Sequence, residues 1–215
     1  MEQILHLYAQ PYDPQYPTVC FDERPCFLIG EEVEGLGMRA GQVAREHYAY
    51  EKNGSCALLM VIEPKTGKRL AEVKDQRTKQ DYAQFMKAVA ASYPKAAKIR
   101  VVQDNLNTHD LSSFYETFNA EEAFALAQRF EFHYTPKKAS WLNMIEIEFS
   151  ALSKQCLNRR IPTKERLARE VLAIVTERAK KGIKIDWQFS IAAARKKLNR
   201  HYEQVNKENL RYKDN

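Results

Sequence analysis

The chain has 215 residues, with 34 Lys plus Arg against 28 Asp plus Glu, a formal net charge of +6 and a pI near 9.0. A hydrophobic content of 44% is enough to bury a core, which excludes a disordered tail, and the length fits one domain with an appendage. The longest apolar run, residues 56–62, is strand length and far short of the ~20 residues that span a bilayer, and the N-terminus lacks the basic n-region of a signal peptide.

The apolar spacing of residues 2–9 predicts a short helix, followed by a Pro-rich turn at Pro11, Pro14 and Pro17. Residues 18–22 (TVCFD) read as a strand that ends in Asp22-Glu23, and 30–44, rich in Gly and polar groups, read as a loop. Segments 46–50 and 55–62 flank Asn53-Gly54, a strong hairpin signal, and 69–73 follows the turn at 64–67. The first part is therefore expected to be an antiparallel meander. The period then changes. Residues 78–93 place Tyr82, Phe85, Met86 and Val89 at helical spacing, with Pro94 as a stop. Residues 98–103 (KIRVVQ) form a short buried strand ending at Asp104, 111–128 are helical with a break near Asn119, and 129–134 (RFEFHY) alternate as a strand. Residues 142–157 predict a helix with Ile145, Phe149, Leu152 and Cys156 on one face. Residues 163–181 predict a second helix, striped by Leu167, Val171, Leu172, Ile174 and Val175 and stopped by Gly182. A last helix is expected over 186–201, with 203–215 frayed. This order fits an α/β fold: a mixed sheet with an antiparallel edge and parallel strands joined by helices.

The charge is unevenly spread. Residues 153–215 hold 17 basic and 7 acidic side chains, a net +10, so residues 1–152 carry a net −4. A mildly acidic body suits a cation, and a basic tail suits phosphates. Two acids sit just past apolar strands, Asp22 and Asp104. An Asp often ends a strand because it favours turns, but sites also collect at the carboxyl ends of parallel strands. Asp104 is set among Gln103, Asn105, Asn107, Thr108 and His109, more polar groups than a plain turn needs. Mg²⁺ or Mn²⁺ prefers carboxylate oxygens, and a pair of such ions serves phosphodiester chemistry. A third acid could come from Glu146 or Glu148, which flank the apolar face of the 142–157 helix at similar angles, so periodicity does not choose between them. Other chemistry is poorly represented. Cys20, Cys26, Cys56 and Cys156 include no C-x-x-C pair, which argues against a zinc ribbon or a secreted disulfide framework and for a reducing, cytoplasmic compartment. There is no H-x-x-x-H, P-loop or G-x-S-x-G motif.

Three blocks resemble the catalytic domain of mariner-like transposases, in the bacterial insertion-sequence branch of that superfamily. The first is Val19-Cys20-Phe21-Asp22-Glu23, and the second runs from Val101-Val102-Gln103-Asp104-Asn105 to Leu106-Asn107-Thr108-His109. The third runs from His133-Tyr134-Thr135-Pro136 through Ser140-Trp141-Leu142-Asn143-Met144-Ile145-Glu146. The resemblance extends to about residue 202 and implies an RNase H-like fold of the DDE type. It implies Asp22 and Asp104 as the first two catalytic, metal-binding carboxylates and Glu146 as the third, with Glu148 as the fallback. One or two Mg²⁺ or Mn²⁺ ions would serve them. Met144 replaces the Pro usual in the third block. Asn105, Asn107, His109, Trp141 and Asn143 are expected to support the site. Trp141 would either pack the helix or stack on an unpaired base. The implied activity is DNA strand cleavage at transposon ends, then attack of the freed 3′-hydroxyl on target DNA, at TA dinucleotides in many relatives.

The resemblance frames the rest of the chain. Residues 1–17 would form an N-terminal helix and linker, 18–157 the catalytic domain and 158–215 a helical basic extension. In that extension Arg159, Arg160, Lys164, Arg166, Lys180, Lys181, Lys196 and Lys197 are candidate phosphate contacts on double-stranded DNA. Relatives usually carry N-terminal helix-turn-helix domains, and the first strand here lies only 17 residues in. A separate DNA-binding polypeptide is thus an expected partner, together with a second copy of the chain on DNA. An inactive DNA-binding remnant, or another RNase H-like nuclease, is the alternative expectation. No membrane association is expected.

Overall fold

The computed structural model describes residues 1–33, 36–43, 45, 47–106, 109–206 and 208. Five strands form one sheet in the order β3-β2-β1-β4-β5. They are β1 (Thr18–Glu31), β2 (Tyr50–Ile62), β3 (Arg69–Lys74), β4 (Ile99–Gln103) and β5 (Phe130–Tyr134). The first three are antiparallel, and β4 and β5 add to β1 in parallel. This is the expected meander followed by helix-linked strands, and it is an RNase H-like sheet.

Alternation along β1 and β2 divides the core in two. Val19, Phe21, Leu59, Val61 and Val101 face α2 (Lys79–Ser92), α3 (Ser112–Thr117) and α4 (Ala120–Gln128), where Tyr82, Phe85, Met86, Val89 and Phe114 are buried. Cys20, Leu58, Met60, Ile62 and Val102 face the other way, onto α1 (Glu2–Ala9), α5 (Ile145–Leu152) and α6 (Lys164–Lys180). With both faces covered, the central strands read as continuous apolar runs, which is why 56–62 stands out in the sequence. Caps fix the helix starts. Thr78 and Asp81 form a reciprocal capping box on α2, and Asn119 accepts from Glu122 N–H, breaking the 111–128 stretch into α3 and α4. All four cysteines are free and buried.

Several expectations are corrected. The strand expected to end in Asp22-Glu23 runs on to Glu31, so Asp22 lies within β1. Asn53-Gly54 is not a hairpin turn: β2 runs through it, and the chain reverses farther out, between Glu31 and Tyr50. Pairing shifts from Phe27↔Ser55 to Ile29↔Lys52, so β2 carries one extra residue there, a β-bulge that Gly54 permits at φ +105°. Of the loop expected over 30–44, Gly30 and Glu31 end β1, and the described residues beyond carry only the isolated bridges Leu36↔Arg45 and Arg39↔Gln42. Arg160 donates to the carbonyls of His47 and Ala49, Ile29 N–H to Ile161 O, and Asn53 Nδ2 to Pro162 O, so the outer part of the β1–β2 pair, the arm, is tied to the segment ahead of α6. The helix expected over 142–157 begins with a 3₁₀ turn at Ser140–Leu142 and ends in a π-helical turn, Ser153–Leu157. The last helix is two, α7 (Ile191–Lys197) and α8 (Asn199–Val205), preceded by irregular chain. Most of the stretch expected to fray lies outside the described residues. No described helix is long and apolar enough to cross a membrane.

The C-terminal elements fold back onto the start of the chain. Arg195 of α7 forks onto both oxygens of Glu2, at 2.9 and 2.8 Å, and Tyr202 Oη donates to Glu2 Oε1 at 2.6 Å. Those two partners depress the Glu2 pKa from 4.5 to about 2. A depressed folded-state pKa stabilises above the unfolded value and loses that contribution as pH falls through the folded one. Docking of α7 and α8 should therefore be intact above pH 4.5 and weaken between pH 4.5 and about 2. Hydrogen exchange of α7 across this window checks it, and in Glu2→Gln the window should vanish.

Candidate active site

The site forms where the parallel ladder between β1 and β4 stops. Its last rung pairs Cys20 with Val102. Asp22 and Asp104 each lie two residues beyond that rung, at the same end of the sheet, and the charges of Asp104 and Glu146 both act on Asp22. Asp22 Oδ1 accepts from the Glu23 N–H at 2.7 Å. Asp104, the first residue past β4, accepts at 2.6 Å from His109 Nδ1.

Glu146 reaches the same end from the helix layer. Asn143 Nδ2 donates to Phe21 O at 2.8 Å, tying the chain ahead of α5 to the strand residue before Asp22. Tyr8 Oη bonds Leu142 O at 2.8 Å from the α1 side. Alongside, Arg24 reaches Phe149 O at 3.1 Å, so α5 runs along β1. Glu146, in the first turn of α5, is exposed. Burial, and then the charges of Asp104 and Glu146, push the Asp22 carboxyl up to about 7 against the pull of the Glu23 N–H. The three acids thus share one electrostatic environment. Among the described residues, however, no group of three His, Cys, Asp or Glu is already close enough to cage a metal ion. Asp22 is engaged by the Glu23 N–H and Asp104 by His109, whose charge offsets part of the repulsion, while Glu146 is exposed. An oxygen-only set in which one member is destabilised by its neighbours' charges is chemically suited to a hard divalent cation.

His109 is fully buried and supports Asp104 from within. Its ring stacks on Tyr82 at 5.0 Å between centroids and meets Phe21 edge-on at 5.1 Å. Its Nε2 lies 3.5 Å from Glu23 Oε2, an ion-pair distance without hydrogen-bond geometry. Burial alone would lower the imidazole pKa, but the Asp104 and Glu23 carboxylates outweigh it and raise it to about 9. A protonated His109 therefore bridges two acids. Gln103 completes this support: it accepts from Tyr82 Oη at 2.9 Å and donates to His109 O at 2.7 Å. Glu23, Gln103 and Tyr82 are supporting residues the sequence reading missed, although Glu23 and Gln103 adjoin the two acids directly. Asn105 is exposed just beyond Asp104, and Asn107 lies outside the described residues. Trp141 is about half exposed and meets Phe189 edge-on at 5.4 Å.

Glu148 is placed quite differently from Glu146. Its side chain is fully buried, and its two oxygens are gripped by two guanidinium forks. Arg69 of β3 binds at 2.9 and 2.8 Å, and Arg178 of α6 at 3.1 and 2.9 Å. Burial would raise the Glu148 pKa, but the two arginines hold it below the usual carboxylate value. Arg69 also donates to the carbonyls of Gly67 and Ile183. The turn at Gly67, with φ +81°, is packed so tightly that a Cβ there would lie 2.7 Å from Ile183 O. Lone-pair capacity that a metal would need is thus spent on locking β3, α5 and α6 together.

The basic residues expected to face DNA are largely engaged within the protein. Arg159 and Arg166 share Glu170, Lys164 pairs with Asp75 and Lys181 with Glu177. Arg160 holds the arm. Lys180, Lys196 and Lys197 are exposed with no ion pair among the described residues, and Lys197 Nζ sits 6.0 Å from the centre of the Phe189 ring.

A mixed sheet with one acid within the central strand, one just past the end of the neighbouring parallel strand and another on the covering helix fits an RNase H-like architecture. The chain belongs to the DDE superfamily endonucleases, whose family model matches residues 17–168. A sequence comparison with curated proteins gave no match. Among solved structures, the chain is similar to the Mos1 transposase paired-end complex with the left transposon end, at TM-score 0.54 and 13% identity over 85% of this chain and 56% of that one. It is similar also to a pre-cleavage Mos1 transpososome, at TM-score 0.51 and 13% identity over 85% of this chain and 59% of that one. The chain therefore spans less than two thirds of either relative, and the likeness at this identity is one of fold.

Two outcomes follow from the charges. Glu148→Ala strands two buried arginines and should cost about 3–5 kcal/mol in urea denaturation, whereas Glu146→Ala should leave stability nearly unchanged. Asp22→Asn removes the crowded charge and should raise the metal-free Tm at pH 8 by about 2–6 °C. An unchanged or lower Tm would show that the acids do not repel one another.

Proposed function

We propose that the chain is the catalytic domain of a bacterial insertion-sequence transposase of the mariner-like superfamily, cutting DNA at the element's ends and joining them to target DNA, at TA dinucleotides. The observation that supports this most is that Asp22 and Asp104 both lie two residues past the last β1–β4 rung, with the Asn143 bond to Phe21 O tying the start of the Glu146 helix to the residue before Asp22. Asp22, Asp104 and Glu146 are the catalytic carboxylates and would hold one or two Mg²⁺ or Mn²⁺ ions. Those ions supply a polarised nucleophile and charge neutralisation at the leaving oxygen.

The chain's own residues do the positioning. Asp22 and Asp104 present oxygens from rigid neighbouring strands, and His109 and Gln103 hold Asp104 and its loop in place. Asn143 sets the approach of α5, and Glu148 keeps that helix registered against β3 and α6. In cleavage a water oxygen bonds to phosphorus as the P–O bond to the leaving strand breaks, which frees a 3′-hydroxyl. In transfer that hydroxyl makes the new phosphodiester as a target phosphodiester breaks.

The domain reading is kept: 1–17 as entry, 18–157 as catalytic domain and 158–215 as basic extension. Arg159, Arg160, Lys164, Arg166, Lys180, Lys181, Lys196 and Lys197 remain the candidate DNA contacts, with Lys180, Lys196 and Lys197 the most available. The neighbours of similar fold are described with transposon ends, which supports DNA as partner. A second copy fits the arm, where Phe27, Met38 and Val43 are 71–80% exposed. The location that fits this function is cytoplasmic and nucleoid-associated.

The test is nicking of duplex DNA carrying the element ends in Mg²⁺. Wild type should nick, and Asp104→Asn, Asp22→Asn and Glu146→Gln should each be slower by on the order of 100-fold or more. Equal rates in wild type and Asp104→Asn would refute the mechanism. Salt-dependent DNA binding without any nicking would instead favour a DNA-binding remnant.

A further inference from the structure

The turn that carries Trp141 is held on every side but one. Leu142 is buried against Leu5 and Ala194, and Leu142 O is bonded by Tyr8. Asn143 is tied to β1. Between them and β5 the chain passes through Lys137 and Lys138, both exposed with no ion pair among the described residues. Lys138 has φ +62°, the one left-handed non-glycine residue among those described. A lysine gains nothing locally from that conformation, and such strain concentrates at functional sites.

Trp141 itself is 46% exposed, although its neighbours on both sides are anchored. The ring is held edge-to-face by Phe189, with the exposed Lys197 above Phe189 at 6.0 Å. Phe189 is in turn fixed through its carbonyl, which accepts from Trp187 Nε1 at 2.9 Å. A large aromatic surface left open to water, with Lys137 and Lys138 four and three residues before it in the chain and Lys197 beside Phe189, is complementary to a flat π-system carrying phosphates. Trp141 stands two positions before Asn143, at most ~7 Å of chain, and Asn143 is bonded to Phe21 O, beside Asp22.

We propose that Trp141, backed by Phe189 and flanked by Lys137, Lys138 and Lys197, is a stacking platform for an unpaired nucleobase, with the lysines taking the adjoining phosphates. The placement beside the reacting phosphate rests on the DNA-cleaving function proposed above, but the platform's affinity for an unpaired base does not. The aromatic face accepts any base, so the platform selects for the unpaired state and not for sequence.

The test uses the full chain in EDTA, so cleavage plays no part. Tryptophan fluorescence is titrated with a duplex bearing a short unpaired tail and with the same duplex blunt. The tailed duplex should quench more strongly and bind about tenfold tighter, within the range that base–aromatic stacking supplies. Trp141→Ala should lose the preference and keep its salt slope, measured by anisotropy of labelled DNA. Lys137→Gln with Lys138→Gln should lower the slope. As a check that needs no protein variant, a tail of abasic nucleotides should bind wild type no better than the blunt duplex. Equal binding of tailed and blunt DNA, an undiminished preference in Trp141→Ala, or full preference for the abasic tail would each overturn the proposal. A platform that stacks in a protein that never nicks would leave this inference standing and refute the catalytic one. Nicking without any tail preference would do the reverse.

Discussion

Everything at the candidate site depends on the short parallel pairing between β1 and β4. Three rungs, ending at Cys20↔Val102, decide which side chains of two strands far apart in sequence become neighbours. A shift of one residue in that pairing would turn Asp104 to the opposite face and leave Asp22 alone. Val19, Cys20, Val101 and Val102 are wholly buried between helices on both sides, so the register is enforced by packing, while Thr18 and Arg100 are part-exposed. Burial, and then the charges of Asp104 and Glu146, raise the pKa of Asp22 at the end of that pairing.

The protein manages its acids in two contrasting ways. Around Asp104 a protonated imidazole lies between two carboxylates, inside a cage of Tyr82, Phe21 and Gln103. Around Glu148 two guanidinium forks satisfy both oxygens, and the group becomes a joint between layers. A buried ion cluster of this kind need not add stability over apolar packing, but removing one member leaves uncompensated charge behind. Glu146, two residues earlier and exposed, has neither arrangement. The same helix thus carries one acid committed to architecture and one left available for chemistry.

Much of this was legible in the sequence, for physical reasons. Buried parallel strands read as apolar runs, caps such as Thr78 and Asn119 announce helix starts, and the strand-end position of Asp104 follows from local pattern, whereas Asp22-Glu23 looked like a strand end only because the polar outer half of β1 hides its continuation to Glu31. Glu146 against Glu148 was not legible by periodicity, because the distinction rests on Arg69 and Arg178, distant by 79 and 30 residues. Likewise, counting lysines and arginines in the tail could not reveal that Glu170, Asp75 and Glu177 engage several of them. Asn53-Gly54 misled because the left-handed conformation that makes it a turn signal also suits a bulge. Only the pairing partner across the strand distinguishes the two.

That bulge has a consequence for the arm as a whole. Because β2 holds one residue more than β1 at this point, the inner and outer portions of the arm are out of phase with each other. Which side chains point up and which point down is reset at Gly54, and the twist increases there. Deleting a single residue at this position would restore one continuous alternation and exchange the two faces of everything beyond it. The facing of the outer rungs, Ile29↔Lys52 to Glu31↔Tyr50, is therefore set by one inserted residue, while Arg160, Ile29 and Asn53 keep that part tied to the chain ahead of α6.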